Sequence, residues 1–323
     1  MVVKRIPRKP FLSKNPIITI LGGEPLMDID KLISVSEQAI RLKFTVLVST
    51  NGIKITDDFA RKAAKLGIQV QVSLDGHNAV LHDSIRGKGT FEGAVEGVRT
   101  LVRNQVHTII SMVCHQGNID FLKDFYSFAH ELGVNEARFI PLKCMGGAVN
   151  SDYKPVPLNE LLNNAFILFK KYPEFLSLTG RDAFSIQANT CKYSLRRASC
   201  GTGLQTILLD ADGSLYPCLN TNNPLFRIAN ISDFNFDFQE IWVNSSVLNN
   251  VRKQSNLFEP EEDHENCPVR YWCLGGCRGE NHTLTGELAK RPPHCAELKR
   301  SIIDMFWMLA ERPDIIKESV KTC

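Results

Sequence analysis

Eight of the chain's ten cysteines crowd between Cys191 and Cys323, and their spacing is that of metal ligands. Cys267, Cys273, Cys277 and Cys295 follow C-x5-C-x3-C-x17-C, while Cys200 and Cys218 frame C-x12-G-x4-C. Thiolates that bind iron or zinc must converge from short turns of fixed geometry, which such spacing supplies. Leu274-Gly275-Gly276 between the last close pair removes bulk where backbone approaches a metal. His264 stands three residues before Cys267, the spacing of a chelating pair, and Cys191 is a further candidate ligand. Cys114, Cys144 and Cys323 read as core or tail residues. Iron–sulfur and zinc suit these donors equally. A disulfide framework is the remaining use of so many cysteines, disfavoured because no secretory signal segment opens the chain. A reduced, cytoplasmic metal site is therefore expected.

A second set of residues sits at the ends of expected strands. Gly22-Gly23-Glu24-Pro25 follows the apolar run IITIL (17–21). Backbone exposed there can hydrogen-bond a ligand's ammonium and carboxylate, or the glycines serve only a turn with Pro25 opening a helix. Ser49-Thr50-Asn51-Gly52, Ser73-Leu74-Asp75-Gly76 and Cys114-His115-Gln116 end three further strands.

The elements that must position these residues alternate along the first ~140 residues. Strands are expected at 17–21, 44–50, 70–75, 108–114 and 137–142, with helices at 29–42, 57–66, 90–104 and 118–132. Such βα units build a parallel sheet or partial barrel whose strand C-terminal ends share one face, where ligands bind. A linker with Gly146-Gly147, Pro155 and Pro157 leads to a helical pair near 158–171 and 176–190. Beyond Cys191, TILLD-ADG-SLYPC reads as a hairpin turned by Asp212-Gly213. The chain closes on a helix with Leu298, Ile302, Met305, Phe306 and Leu309 on one face.

Composition excludes other classes. A net charge of +3 with scattered basic residues argues against nucleic acid, the cluster Lys4, Arg5, Arg8, Lys9 and Lys14 reading as a solvated face. No run approaches the about 18 to 20 apolar residues that span a bilayer.

GGEP after a strand, then STNG, SLDG and HDSIRG, then the CX(12)GX(4)C and CX(5)CX(3)C spacings, resembles radical S-adenosylmethionine (SAM) enzymes with a SPASM domain. The resemblance runs from residue 17 to 310. It implies an α/β fold, an incomplete parallel (βα)6-type barrel over 1–145, a linker and helices over 146–190, and a small cysteine-rich SPASM domain over 191–323. By the same resemblance Gly22, Gly23, Glu24 and Pro25 hold the methionine amino group of SAM, and Ser73 and Arg86 contact the same molecule. Cys200, Cys218 and Cys277, completed by Cys191, would hold one auxiliary 4Fe-4S cluster. Cys267, Cys273 and Cys295 would hold a second, with His264 standing where relatives carry cysteine.

Two departures qualify what the resemblance implies. Family members carry CX3CX2C upstream of GGEP, where three thiolates hold the cluster that cleaves SAM to a 5′-deoxyadenosyl radical. This sequence has no cysteine before Cys114, so the expectation is an N-terminally truncated chain, inactive by itself. Relatives that oxidise sulfatase residues place an aspartate where Leu219 stands, which turns the expectation to other maturation of a ribosomally made peptide or protein. A ferredoxin or flavodoxin would then be the electron donor. The alternative is a non-catalytic iron–sulfur or zinc module for electron transfer or peptide binding.

Overall fold

The computed structural model describes residues 16–179, 200–255 and 266–314, which fall into two compact units. One unit holds residues 16–142, 150–179 and 309–314, the other 143–149 and 200–308.

In the first unit β1 (Ile17–Ile20), β2 (Thr45–Thr50), β3 (Gln69–Ser73), β4 (Thr108–Cys114) and β5 (Glu136–Pro141) lie side by side in sequence order. Every neighbouring pair is parallel. Parallel strands cannot be joined by a tight turn, so helices make the crossovers. These are α1 (Ile29–Arg41), α2 (Asp57–Leu66), α3 (Ala79–Arg86), α4 (Thr90–Arg103) and α5 (Leu122–Leu132), with α6 (Leu158–Lys171) after the last strand. A strand order that never reverses is that of a barrel segment, not of a doubly wound sheet with its switch point. The five expected strands are all present, each within two residues of its expected bounds.

Local chemistry explains the helix ends. Thr56 Oγ1 accepts from Phe59 N at 3.2 Å to open α2, and Gly67 closes it with a left-handed φ of 67°. Helix α3 departs from the sequence reading, which left 77–89 without an element. Asn78 opens it by accepting from Leu81 N at 3.0 Å, and among its residues only His82 is buried. A helix whose one inward side chain is polar carries no apolar period to find. The second member of the helical pair also differs: Pro173–Leu178 is a 3-10 helix, and the rest of 176–190 lies largely outside the described residues.

The sheet has two unlike faces. Val46, Val48, Val70 and Val72 are buried, as are Phe59, Ala60 and Ala63 of α2 and Ala94, Val98 and Leu101 of α4. On the other face the register sets Ser49 beside Gln71, Ser73 beside Ser111, and Ser111 beside Arg138. Arg138 Nη1 donates to Gln71 Oε1 at 3.2 Å across that face. The period of two thus puts aliphatic side chains under the helices and a polar row opposite. Tyr126 of α5, fully buried, donates its O–H to Ala137 O at 3.0 Å and packs edge-on to Phe169 of α6.

In the second unit β6 (Leu208–Leu209), β7 (Ser214–Tyr216) and β8 (Ala229–Asn230) form an antiparallel sheet. The expected hairpin is there, its turn braced by Asp212 Oδ1 accepting from Ser214 N at 2.8 Å. The third strand and the helices Phe238–Asn244, Ser246–Ser255 and Arg278–Thr285 went unread in the sequence. The closing helix spans Cys295–Glu311, with Ile302, Met305 and Leu309 buried. Among the described residues no helix is long and apolar enough to cross a membrane.

One close approach ties α4 to the end of β2. A Cβ on Gly97 would lie 2.2 Å from Gly52 O, a contact with rigid backbone. On Gly93 it would meet the Ile53 side chain, nearest at Cγ2, 3.4 Å away. Gly97→Ala is therefore expected to cost about 1–3 kcal/mol through overpacking. Gly93→Ala is expected to be neutral or to stabilise by up to about 1 kcal/mol through helix propensity. Denaturant midpoints of the two variants check the pair, and equal midpoints would show that the close approach is not real.

Candidate cofactor cavity and thiol clusters

At the C-terminal ends of β1, β2 and β3 a cavity of about 480 Å³ opens, lined by Leu21, Gly22, Gly23, Glu24, Ser49, Thr50, Asn51, Ile53, Ser73, His82, Arg86 and Thr90. Of the six expected cofactor residues, Gly22, Gly23, Glu24, Ser73 and Arg86 line it. Pro25 begins the adjoining 3-10 turn Pro25–Met27.

Glu24 holds the first loop to the second. Its Oε1 accepts from Thr50 Oγ1 at 2.5 Å and Leu26 N at 3.1 Å, and its Oε2 accepts from Asn51 N at 2.8 Å. The carboxylate is thereby spent on the protein, and the glycines before it face the cavity. Gly22 has φ 149°, where an L side chain is strained, and a Cβ on either glycine would meet nothing within 4 Å. Backbone at this strand end is bare and accessible, which suits a ligand that approaches the main chain.

The other wall is built on Asp75, which has no exposed surface. Its Oδ1 accepts from Val113 N at 2.8 Å, its Oδ2 from Arg86 Nε at 2.5 Å, and its own backbone N donates to His82 Nδ1 at 3.2 Å. His82, only 2% exposed, is pushed below its ordinary pKa chiefly by burial, with Arg86 adding to the shift and Asp75 opposing it. An imidazole accepting at Nδ1 while neutral carries its proton on Nε2. Arg86 is the one guanidinium or ammonium among the lining residues. The motif HDSIRG contains His82, but nothing in its local sequence marks that histidine as buried. Once 79–86 is a helix, the i, i+4 spacing puts His82 and Arg86 on one face.

Among the described residues no disulfide joins Cys200, Cys218, Cys267, Cys273, Cys277 and Cys295, nor Cys114 and Cys144. Cys191, Cys323 and His264 lie outside the described residues. Two groupings are visible. Burial first, then the nearby Cys267 and Cys295 sulfurs, push the Cys273 thiol up, while Gly275 N–H opposes by donating to its Sγ at 3.3 Å. Cys277 accepts from Asn220 Nδ2 at 3.2 Å, and Asn220 lies in the 3-10 turn Leu219–Thr221 that Cys218 caps. Among the described residues no three donors form a ready cage for a metal ion. The donor chemistry fits an iron–sulfur or zinc centre, because thiolates brought close to one another repel and a cation between them relieves that repulsion. Cys114, by contrast, is buried and pushed up to about 12 by burial, a poor thiolate and an inert core residue.

Comparison with known proteins follows the same division. Residues 11–129 match the radical SAM superfamily, and residues 200–269 match the SPASM iron-sulfur cluster-binding domain. The AdoMet-dependent heme synthase of Methanosarcina barkeri is 25% identical over 299 residues, covering 87% of this chain and 82% of its own length. The mycofactocin maturase MftC of Mycolicibacterium smegmatis is 28% identical over 287 residues, covering 87% of this chain and 70% of its own. Among solved structures, native anSMEcpe with bound AdoMet and Kp18Cys peptide superposes with a TM-score of 0.76 at 19% identity, over 98% of this chain and 88% of that one. Streptococcus suis SuiB bound to precursor peptide SuiA superposes with a TM-score of 0.62 at 16% identity, over 86% and 65%. These two likenesses concern the fold.

The chain thus carries a radical SAM region over residues 11–129 and a SPASM iron-sulfur cluster-binding region over 200–269. Such domains imply 4Fe-4S clusters and S-adenosylmethionine as cofactors.

Two outcomes test the cavity wall. Glu24→Ala strands the Asn51 and Leu26 N–H groups and is expected to cost about 1–3 kcal/mol in denaturant unfolding, with Glu24→Gln milder because one acceptor oxygen remains. His82 and His115 are both depressed below the ordinary histidine value, mainly by burial. Their contribution to stability is complete above the unfolded value of 6.5 and is lost as pH falls through it, because the unfolded chain then binds more protons. Thermal midpoints should fall between about pH 7.5 and pH 5.5, and His82→Asn should flatten part of that slope. A slope unchanged by the substitution would remove His82 from the account.

Proposed function

We propose that this chain binds S-adenosylmethionine in the strand-end cavity and serves the maturation of a ribosomally made peptide or protein. The observation that carries the reading is the cavity itself: bare Gly22-Gly23 backbone, Ser73 and Arg86 around one space at the ends of parallel strands. Ser73 and Arg86 would take the carboxylate end, and carbonyl oxygens at the first strand's end would accept from the ammonium. SAM with an iron–sulfur cluster supplies hydrogen-abstracting chemistry when both are bound. The protein's part is to fix the ligand's amino-acid end, hold the polar sheet face beside it and exclude water from the cavity floor.

Cys267, Cys273 and Cys295 would hold one auxiliary cluster and Cys200, Cys218 and Cys277 the other, with His264 and Cys191 as completing ligands. Likeness to mycofactocin maturase supports a peptide acceptor, and SuiB, solved with its precursor peptide, has the same fold. Likeness to a heme synthase supports the same cosubstrate with another acceptor. Leu219, 53% exposed in the turn after Cys218, offers no proton acceptor where sulfatase maturases carry aspartate. A ferredoxin or flavodoxin is the electron donor this chemistry calls for.

The 323 residues contain no CX3CX2C run. Anaerobic incubation of the purified chain with SAM and dithionite is accordingly expected to release no 5′-deoxyadenosine, and its release would overturn that part of the reading. After reconstitution with iron and sulfide, a brown protein absorbing broadly in the visible is expected, with iron content lowered in Cys273→Ser. A colourless preparation with stoichiometric zinc would instead establish the alternative, a zinc module without redox chemistry.

A further inference from the structure

Arg86 reaches the cavity in a constrained way. Its Nε donates to Asp75 Oδ2 at 2.5 Å, and among the described residues neither terminal Nη makes a hydrogen bond. Its side chain is 35% exposed, whereas Asp75 has no exposed surface. A guanidinium held at Nε has its rotation restricted, and the end-on edge shared by its two Nη groups stays open as a pair of donors. Paired N–H donors in that fork match the two oxygens of a carboxylate. The remaining anion on the cavity wall, Glu24, has both oxygens engaged by Thr50, Asn51 and Leu26, so it does not compete for Arg86.

Asp75 is itself immobile. Val113 N from β4 fills its other oxygen, and its backbone N–H is accepted by His82, one helical turn before Arg86 on α3. Strand β3's end, strand β4 and helix α3 therefore all meet on one carboxylate. A Cβ on the next residue, Gly76, would lie 2.4 Å from Leu81 Cβ, so the turn and α3 are already in van der Waals contact.

We infer that Asp75 is a positioning residue that aims Arg86 at the ligand's carboxylate and thereby makes the cavity select amino-acid-bearing nucleosides over those lacking a carboxylate. This rests on the proposed binding of S-adenosylmethionine in the cavity and goes beyond it by assigning Asp75 and a discrimination. Its chemistry is charge-assisted pairing, with Asp75 neither touching the ligand nor exchanging a proton with it.

The test measures equilibrium binding to the full chain of two probes, S-adenosylmethionine and its decarboxylated analogue. Wild type should favour the carboxylate-bearing probe by at least about tenfold, the worth of one charge-assisted pair. Asp75→Asn keeps an acceptor for Val113 N but weakens the hold on Arg86. It should lose about tenfold for S-adenosylmethionine and leave the decarboxylated analogue unchanged. Arg86→Gln should do the same, and the double variant should lose no more than either single. Equal losses for both probes, or none in Asp75→Asn, would overturn the assignment and leave the binding reading standing. Failure of wild type to bind either probe would sink the binding reading and this one with it. Should Asp75→Asn not fold, the Arg86 Nε–H resonance of wild type, assigned by its loss in Arg86→Gln, decides. Slow solvent exchange is expected of an N–H held by a buried carboxylate, and rapid exchange would refute the pairing.

Discussion

A carboxylate without solvent is the constraint on which this cavity depends. Removing an ion from water costs several kcal/mol unless its oxygens are satisfied, so Asp75 is tolerable only while Val113 N and Arg86 stay where they are. That requirement binds three elements into one wall, since β4, the end of β3 and α3 all contribute. Glu24 does the same for the opposite wall, joining the loops after β1 and β2 through Thr50 and Asn51. Two carboxylates, each consumed by the protein, thus leave a space whose free chemistry is bare backbone, hydroxyls and one guanidinium.

The parallel sheet makes this arrangement natural. Strands in one direction end on one edge, so residues distant in sequence converge there without special folding of each loop. Alternation along Gln69–Ser73 sends Val70 and Val72 under the helices and leaves Gln71 and Ser73 on the polar face. Glycine at 52 and 97 lets helix α4 press close against the end of β2. In the second unit the hairpin and the turn after Cys218 bring Cys218 and Cys277 to either side of Asn220, while Cys267, Cys273 and Cys295 gather elsewhere. Like-charged sulfurs so placed store repulsion that a bound cation would relieve.

Legibility differed between elements for definite reasons. Strands β1 to β5 and helices α1, α2, α4 and α6 carry apolar residues at their own period, and the sequence reading found them near their true bounds. Helix α3 escaped because it buries a histidine instead of an aliphatic stripe. Strand β8 escaped because two residues, Ala229 and Asn230, cannot display alternation. Of the cavity, Gly22, Gly23, Glu24, Ser73, Arg86 and the Ser49-Thr50-Asn51 run are visible as motifs, whereas His82 and Thr90 carry no local signal of their place there.

From the order of residues alone came the βα alternation, the hairpin, the strand-end glycines and the thiol spacing, because each is written in neighbours a few positions apart. Tertiary structure alone decided that Glu24 would turn toward Thr50 and not toward a ligand, and that Asp75 would lie without solvent beneath Arg86. Those choices belong to groups 26 and 11 residues apart in the chain. Hydrogen-bond partners at such separations are selected by how strands and helices stack, a property that no local pattern records.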